Sequence, residues 1–437
     1  MSGADAGAIR LPENHPLRIE LNDEVHARPP EALLTPCRMS YLAMYSDWPF
    51  RDEDRRTVYA LAERFGVQPP ENSANHYSAD LGPFRIKWER HTEFTRYLFI
   101  VAGEVDDPFG ASAALQHVPS DWIAELPGKV IAAAHAALLP APRKTLDFDA
   151  IAQRHFAGNM LIGAGVGGAS ATAVTDFRIR PDGFNRFLVY DTSLTPRQAG
   201  RTFQRLFEIE TYRVLALLAF PVARSLGPFL LESERELARI ATSMTSSGEQ
   251  DDPQLLERLS KLEAAIASRH ADNDYRFSAA QAYHALVGRR IEELRESRLP
   301  GMQTFKEFTE RRLVPAMDTC RSTSARQASL SERVAQTTQL LSTRVEVSAG
   351  RQNQALLESM DRRARLQLRL QETVEGLSIA AVTYYIVGLV KYAAEGVAAL
   401  GIDVNVYLVT GLSIPLVAGL VALGVRRIRR AVASSNS

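Results

Sequence analysis

The feature that most constrains this chain is an uncharged, apolar run near its C-terminal end. Residues 404–425 carry no charged side chain and are rich in Leu, Val, Gly and Ile. A helix needs about 20 such residues to cross the hydrocarbon core of a bilayer. The run is followed directly by arginines, namely Arg426, Arg427, Arg429 and Arg430. It therefore predicts a membrane-spanning helix, with the lipid bilayer as its partner.

A second, shorter span is predicted before it. Residues 376–390 are uncharged, and the helix can continue through Lys391 and Glu395, which lie one turn apart and can pair. The alternative is a buried hairpin of a soluble protein, but the later run is too long and too uniformly apolar for a half-exposed helix. We therefore predict a transmembrane hairpin over residues 374–427.

The charged flanks predict the orientation of this hairpin. Four arginines precede the first span, namely Arg362, Arg363, Arg365 and Arg369. Positively charged flanks stay on the cytoplasmic side. We expect a two-pass protein of the inner (plasma) membrane, with the large N-terminal part and the basic tail 428–437 in the cytoplasm. The first residues lack the apolar run of a signal peptide.

The composition of the whole chain excludes several classes of protein. Of its 437 residues 46% are hydrophobic, and 51 basic side chains balance 51 acidic ones. This is too apolar for intrinsic disorder, and a zero net charge argues against nucleic acid as a partner. Two cysteines, Cys37 and Cys320, are too few for a disulfide framework or a thiolate metal site, so a reduced setting is expected.

Strand and helix patterns alternate over residues 36–193, after an irregular segment at 1–35. A helix is predicted at 52–65, where acidic residues suit the positive end of the helix dipole. Strands are predicted from apolar alternation or apolar runs at 38–45, 84–88, 97–102, 130–139, 159–162, 171–177 and 186–190. The chain is therefore predicted to be α+β, with an α/β cytosolic domain whose sheet has about six or seven strands.

The pattern from residue 194 to 373 is helical. Apolar residues recur three and four positions apart, with a more polar stretch at 352–363. Helix from about 326 to 390 would form a rod of ~90 Å at 1.5 Å per residue. Such a rod needs folded-back helices or neighbouring subunits to bury its apolar stripe. We predict a long helical stalk, coiled-coil in part, within a homo-oligomer.

A glycine-rich motif follows one predicted strand. Gly163, Gly165 and Gly168 match the spacing G-x-G-x-x-G of dinucleotide-binding loops. That function requires a helix next, whose N-terminal amides bind the pyrophosphate. Residues 169–177 instead continue as a strand pattern, and Asp182 lies in a Pro-Asp-Gly turn. The motif therefore favours a glycine-rich hairpin, and no cofactor is predicted.

Two polar clusters could carry chemistry in the cytosolic part. The first comprises His15, Glu20, Asp23, Glu24 and His26. Imidazoles and carboxylates could bind a divalent cation, but the spacing matches no metal motif, and a surface segment would look the same.

The second cluster is the candidate cytosolic polar site, formed by His76, Asp80, Lys87, Glu89 and His91. In the predicted strand, Lys87 and Glu89 share the face opposite Ile86 and Trp88. That face is either a substrate cleft or a solvated strand face with cross-strand ion pairs. No general acid and base pair stands out, so an enzyme is not predicted.

A third set forms the candidate pore or mouth of the membrane part: Tyr385, Gly388, Glu395 and Asp403. Repeated around an oligomer axis, the two carboxylates would form acidic rings, which select cations. The alternative is that they are ordinary solvated loop residues, with Lys391 extending to the headgroups.

Several segments carry a family resemblance along nearly the whole chain. The segments, each numbered at its first residue, are His15-Pro-Leu-Arg, Asn22-Asp-Glu-Val-His-Ala-Arg-Pro-Pro, His76-Tyr, Phe84-Arg-Ile-Lys-Trp-Glu-Arg-His-Thr-Glu-Phe, Gln367-Leu-Arg-Leu-Gln-Glu-Thr-Val-Glu-Gly-Leu and Tyr384-Tyr-Ile-Val-Gly-Leu. The chain resembles a bacterial family of predicted membrane-anchored proteins, catalogued as domain of unknown function 3422. The resemblance implies membrane anchoring and brings no activity or site.

The overall arrangement is also similar to that of CorA-type magnesium channels. That resemblance implies a cytosolic domain, a long helix entering the first span, a short outer loop and a basic tail. Those channels carry Gly-Met-Asn after the first span, where this chain reads Gly388-Leu-Val-Lys391-Tyr392. We therefore keep two hypotheses, a divergent cation channel and a membrane-tethered scaffold or regulatory protein, with a membrane-tethered enzyme third.

Overall fold

The structure is a computed structural model that describes residues 12–19, 21–22, 29–46, 51–246, 248, 251–401 and 403–434. The described residues fall into two compact units. The first comprises residues up to Ser243 together with Arg258–Thr337, and the second comprises Met244–Glu257 together with residues from Thr338 onward.

The first unit contains a mixed sheet of eight strands, with neighbours in the order β2-β3-β4-β1-β5-β8-β7-β6. The strands are β1 (Cys37–Tyr45), β2 (His76–Asp80), β3 (Arg85–Arg90), β4 (Phe94–Ala102), β5 (Lys129–Pro140), β6 (Ile162–Val166), β7 (Ala171–Thr175) and β8 (Asn185–Asp191). All neighbours pair antiparallel except β5 and β8, which are parallel. The α+β class is thus confirmed, with one strand more than predicted. The sequence pattern missed β2, because this edge strand is polar and largely exposed.

Helices cover both faces of the sheet and then continue the chain. They are α1 (Arg51–Arg64), α2 (Ser120–Ala124), α3 (Phe148–Phe156), α4 (Pro196–Leu217), α5 (Ala219–Ser246), α6 (Asp252–Leu294), α7 (Phe305–Arg312), α8 (Val314–Ala399) and α9 (Val406–Ser434).

One face of the sheet packs against the short helices of the first 160 residues. Near β3 and β4, Trp88 and Phe99 form a cluster with Val58 and Leu61 of α1 and with Trp122 of α2. Near β7 and β8, a second cluster joins the sheet to α3. Removing these side chains from water supplies most of the driving force that holds the layers together.

The opposite face packs against α4. Thr195 and Gln198 form a capping box that starts this helix. Phe207 of α4 stacks on Tyr41 of β1, with ring centroids 4.6 Å apart. The Tyr41 hydroxyl also lies 2.7 Å from Oγ1 of Thr211, one turn further along the helix. Aromatic stacking and this buried hydrogen bond therefore fix α4 over the centre of the sheet.

The glycine-rich motif forms a hairpin at one edge of the sheet. β6 contains Gly163 and Gly165, and the chain returns antiparallel as β7 after a turn. The segment between α6 and α7 covers the edge, because the amides of Gly163 and Gly165 donate to the carbonyls of Gln303 and Ser297, each at 2.9 Å. A Cβ atom on Gly163 would lie 2.6 Å from the Ala173 carbonyl oxygen. The glycines thus permit close packing, and a helix does not follow the motif.

In the second unit, α8 and α9 form a helical hairpin. The connector turns at Gly401, which has a φ of +90°, and the Asn405 side chain caps α9 by accepting from the Leu408 amide. Val425 of α9 lines a groove with Leu370 and Val374 of α8, so the two helices run antiparallel.

The segment 244–257 is attached to α8 by a charged contact within the second unit. Nε of Arg344 lies 2.8 Å from Oδ2 of Asp252, whose side chain is 1% exposed. An Arg344 Nη1 proton is also donated to the carbonyl oxygen of Met244.

Candidate functional site

The candidate site lies where β3 and β4 meet α4. Alternation along β3 turns Lys87 and Glu89 toward α4 and turns Ile86 and Trp88 toward α1. Arg96 of β4 lies directly opposite Glu89 in the pairing register. Three charged side chains are therefore buried together, because Lys87, Glu89 and Arg96 are 8%, 1% and 7% exposed.

These charges form a chain of ion pairs with α4 and α6. Arg96 donates through Nε to Glu89 and through Nη1 to Oε1 of Glu208, the latter at 3.1 Å. Arg290 of α6 donates to the other oxygen of Glu208. Nζ of Lys87 lies 3.2 Å from Oε1 of Glu89. Each carboxylate is thus shared by two cations, as buried charges require.

The network holds Glu89 and Arg96 in their charged forms. Burial alone would raise the pKa of Glu89, but Arg96, Lys87 and His91 lower it to about 2. Burial alone would lower the pKa of Arg96, whereas Glu89 and Glu208 raise it. Neither group is therefore available to transfer a proton near neutral pH.

The segment at residues 29–33 closes the network on its outer side. Lys87 donates to the carbonyl oxygen of Pro29. Glu31 accepts from Oγ of Ser78 at 2.7 Å and pairs with Arg85 at 3.3 Å. Pro29 and Lys87, which belong to two of the segments that carry the family resemblance, therefore contact each other.

A small cavity remains beneath this segment. It is lined by Tyr41, Lys87, Glu89 and Arg96 from the sheet, by side chains of α4 and by Glu31, and its volume is about 30 Å³. That volume holds a water molecule or two and is far smaller than a pocket for an organic substrate. The arrangement fits a structural joint better than a catalytic cleft.

The structure separates the members of the candidate cytosolic polar site. Lys87 and Glu89 are buried in the network, whereas His76 and Asp80 are exposed on the edge strand β2. His91 follows β3 and stacks on Phe94, with centroids 4.4 Å apart. The five residues thus lie near one another without converging on one cleft.

The helix residues that pair with these buried charges were not among the residues predicted from the sequence. Glu208 comes between Phe207 and Ile209 on the buried side of α4. A carboxylate among apolar residues of a helix is the available signal, because a buried charge needs a partner. The identity of that partner, Arg96, could not be inferred from spacing.

A buried Ser–His pair on the other face of the sheet was also missed. Oγ of Ser40 lies 2.9 Å from Nδ1 of His135 and accepts from the Leu115 amide at 2.9 Å. The His135 ring stacks on Phe184 at 3.9 Å. Burial lowers the pKa of His135 to about 4, with Asp182 raising it and Arg186 lowering it. Ser40 is fully buried, so this pair joins strands and is closed to substrate.

A second polar joint links the β3–β4 turn to α6. Glu93 accepts from both terminal nitrogens of Arg276, at 2.8 and 3.1 Å. Burial and then a hydrogen bond to Glu93 raise the pKa of Tyr283, which packs beside it.

The N-terminal cluster is only partly covered by the structure. Glu20, Asp23, Glu24 and His26 lie outside the described residues. Nδ1 of His15 accepts from the Leu17 amide at 3.2 Å. Within the described part of the chain, no group of three or more His, Cys, Asp or Glu side chains is arranged to hold a metal ion.

The candidate mouth residues lie in the second unit. Tyr385 is 73% exposed, and Gly388 has open space where a Cβ would stand. Glu395 pairs with Lys391, Nζ to Oε1 at 3.8 Å, and both side chains are about half exposed. Asp403 is exposed in the connector. Within one copy, these residues do not form a common site.

Among the described residues, three helical segments are long and apolar enough to cross a membrane. We compared burial in the most apolar stretch of 18 residues in each segment. In Pro196–Ser246, 33% of this stretch is buried within the protein. In Phe305–Ala399 and Val406–Arg427 the buried shares are 0% and 6%. Membrane association is therefore indicated by length and composition.

Fold and site together define an α+β protein whose buried charges join a sheet to helices, followed by helices apolar enough to span a membrane. The chain belongs to the family described as protein of unknown function (DUF3422), whose model matches residues 13–432. The family resemblance is thus confirmed. No curated protein and no solved structure shows significant similarity to the chain. The architectural similarity to CorA-type channels is not confirmed.

Proposed function

We propose that the protein is a two-pass membrane anchor that holds its α+β domain at the cytoplasmic face of the inner membrane, as a scaffold or regulatory binding protein. The observation that carries this proposal is the contrast in burial between the apolar helices. The most apolar windows of α8 and α9 are 0% and 6% buried, so in water they would expose a large apolar surface. Lipid removes that surface from water.

The first of the three apolar helical segments, Pro196–Ser246, is assigned to the globular domain and not to the membrane. Phe203, Phe207 and Leu215 are buried, and Phe207 packs on the sheet. Among the described large apolar side chains of this segment, that of Leu231 is classed as exposed, and its exposed fraction is 43%. A segment whose apolar face is already covered by protein gains little from lipid.

The buried ion network supports a binding role over catalysis. Lys87, Glu89 and Arg96 are each used in ion pairs, and the adjacent cavity accommodates only water. A partner would then be recognised on the exposed surface of the domain, where His76 and Asp80 lie.

Cysteine labelling of the full-length protein in cells tests the anchor and its orientation. The native Cys37 and Cys320 are buried, so the unmodified chain serves as the blank. We expect a membrane-impermeant maleimide to label Asp403→Cys in intact spheroplasts, because the connector lies on the far side. The exposed cytoplasmic position Gln354→Cys should be labelled only after permeabilisation. The reverse pattern would overturn the orientation, and release of the protein by alkaline carbonate would overturn the anchor.

A divergent cation channel is the second candidate. The exposed Tyr385, the open face at Gly388 and the carboxylates of Glu395 and Asp403 would surround a path if several copies shared an axis. Lys391 opposes this function, because its ammonium pairs with Glu395.

Flux into liposomes tests the channel. The readout is divalent-cation uptake by the purified full-length protein, with Glu372→Ala, outside the span, as the control. If the channel hypothesis is right, Glu395→Ala alone changes the flux. No flux above that of empty liposomes contradicts the hypothesis.

A further inference from the structure

The part of α8 that precedes the first span has large apolar side chains that the described residues leave largely exposed, although Leu370 and Val374 line the groove beside Val425 of α9. Residues 349–374 precede the first span, and every one of them is exposed. Leu356, Met360, Leu370 and Val374 are 62%, 64%, 66% and 56% exposed. A helix with such a stripe is marginal in water unless a partner packs against it.

The stripe has the spacing of a coiled-coil seam. Positions 356, 360, 363, 367, 370 and 374 follow one another at intervals of four and three residues. This is the a/d repeat of a left-handed coiled coil. Its charged residues Glu358, Arg365 and Glu372 lie on the opposite side of the helix. The seam is thus a defined face, here called the stalk face.

We propose that the stalk face binds the stalk face of a second copy of this chain, in parallel and in register. This inference rests on the proposed membrane anchor for its geometry. Copies inserted with the same orientation carry their stalks in the same direction, with identical residues at the same height above the bilayer. Confinement to the membrane also raises the effective concentration of the second helix.

The area of the stalk face suits this occupant. Four large apolar side chains lie on the stalk face, those of Leu356, Met360, Leu370 and Val374, and Leu357 and Leu366 flank it at neighbouring heptad positions. At roughly 100 Å² each they offer on the order of 600 Å² per copy, compared with about 800 Å² per partner in a standard interface. The remainder comes from the continuation of the same face toward Leu377, which is 73% exposed.

Two polar residues interrupt the seam, and they favour the in-register pairing of two stalks over shifted pairings. Arg363 and Gln367 occupy successive core positions. Polar groups at such positions lower stability but penalise slipped pairings, in which they would face apolar side chains. Arg363 would meet its own copy, so association is expected to be weak outside the membrane. Replacing it by an apolar residue should strengthen the pairing.

Disulfide cross-linking in native membranes tests the proposal on the full-length chain. Met360→Cys lies on the stalk face, and Glu358→Cys, two residues earlier, points about 200° away at nearly the same height. Oxidation should link Met360→Cys into a dimer at least five times more efficiently than Glu358→Cys. The wild-type chain is the blank, since Cys37 and Cys320 are buried. Adding Arg363→Leu should increase the stable oligomer recovered in mild detergent.

Several outcomes would overturn the proposal. They are equal cross-linking at both positions, no dimer at Met360→Cys, or a cross-link to a different protein. A charge placed on the stalk face gives an independent check: Met360→Glu should lower the mass in detergent, whereas Val347→Glu, on the opposite face, should not. Labelling of Asp403→Cys from outside without any stalk cross-link would leave the membrane anchor intact and reject the second copy alone.

Discussion

Arg96 and Glu208 form the central contact between the sheet and the first long helix. Nη1 of Arg96 donates to Oε1 of Glu208 at 3.1 Å, and the two side chains are only 8% and 5% exposed. Because Glu208 also accepts from Arg290 of α6, one carboxylate joins three elements. These buried ion pairs, of which the sequence suggested only the Lys87 and Glu89 end, therefore hold the domain together.

Removing this carboxylate should destabilise the domain strongly. Glu208→Ala leaves Arg96 and Arg290 without their shared partner, and breaking a buried pair costs about 3–5 kcal/mol. Thermal unfolding of the detergent-solubilised protein should show a markedly lower Tm. The control, Glu232→Ala, removes a 60% exposed carboxylate that pairs with Arg239, and exposed pairs contribute at most about 1 kcal/mol. Similar shifts for the two variants would contradict the role of the network.

Acid should destabilise the domain through His135. The pKa of His135 is about 4 in the folded protein, and its ordinary value is 6.5. Below pH 6.5, His135 therefore binds a proton in the unfolded chain but stays neutral in the folded chain. Stability is therefore lost as the pH falls from 6.5 to 4, by about 2 kcal/mol at pH 5. In His135→Gln the loss of Tm between pH 7.5 and pH 5 should be smaller. An unchanged pH dependence would show that other groups control it.

The glycine motif should respond to substitution as a packing site. A Cβ on Gly163 would lie 2.6 Å from the Ala173 carbonyl oxygen and 2.7 Å from Sδ of Met302. Overpacking of this kind costs about 1–3 kcal/mol. Gly163→Ala should therefore lower the Tm, whereas Gly227→Ala in α5, where a Cβ would have open space, should not. Thermal stabilisation of the wild-type chain by a dinucleotide would instead revive the cofactor hypothesis.

A charge in α9 should distinguish two spans from three. Leu416 lies near the middle of the apolar run and is 66% exposed. An arginine at the bilayer centre costs about 2.5–3.5 kcal/mol on insertion scales. Leu416→Arg should increase the fraction of protein released from membranes by alkaline carbonate. Leu231→Arg, in the helical segment assigned to the globular domain, should leave that fraction unchanged, and release by both variants would support a third span.

The secondary structure was predictable where one local pattern dominates. The apolar alternation of Ile86 and Trp88 with polar neighbours predicted β3, and the strand pattern after Gly168 correctly predicted β7. β2 was missed because an exposed edge strand needs no apolar face. The predicted sheet was therefore short by a strand at its polar edge.

The candidate site was predictable only in part. Lys87 and Glu89 were recognised as facing the same way, because side chains alternate along a strand. Their burial and their partners were not, since Arg96 and Glu208 are separated by 112 residues. The pairing of Ser40 with His135, 95 residues apart, was equally hidden.

The sequence by itself determined most of the helices and strands and which segments are apolar enough to span a membrane, because these properties repeat along the chain and depend on near neighbours. Only the tertiary structure decided that Glu89 and Glu208 share Arg96, that the glycines pack against Met302 and Ser297, and that the described residues leave the stalk of α8 largely exposed. Those outcomes depend on contacts between distant residues, and the low dielectric of the interior makes each buried charge depend on the partner that the fold brings to it.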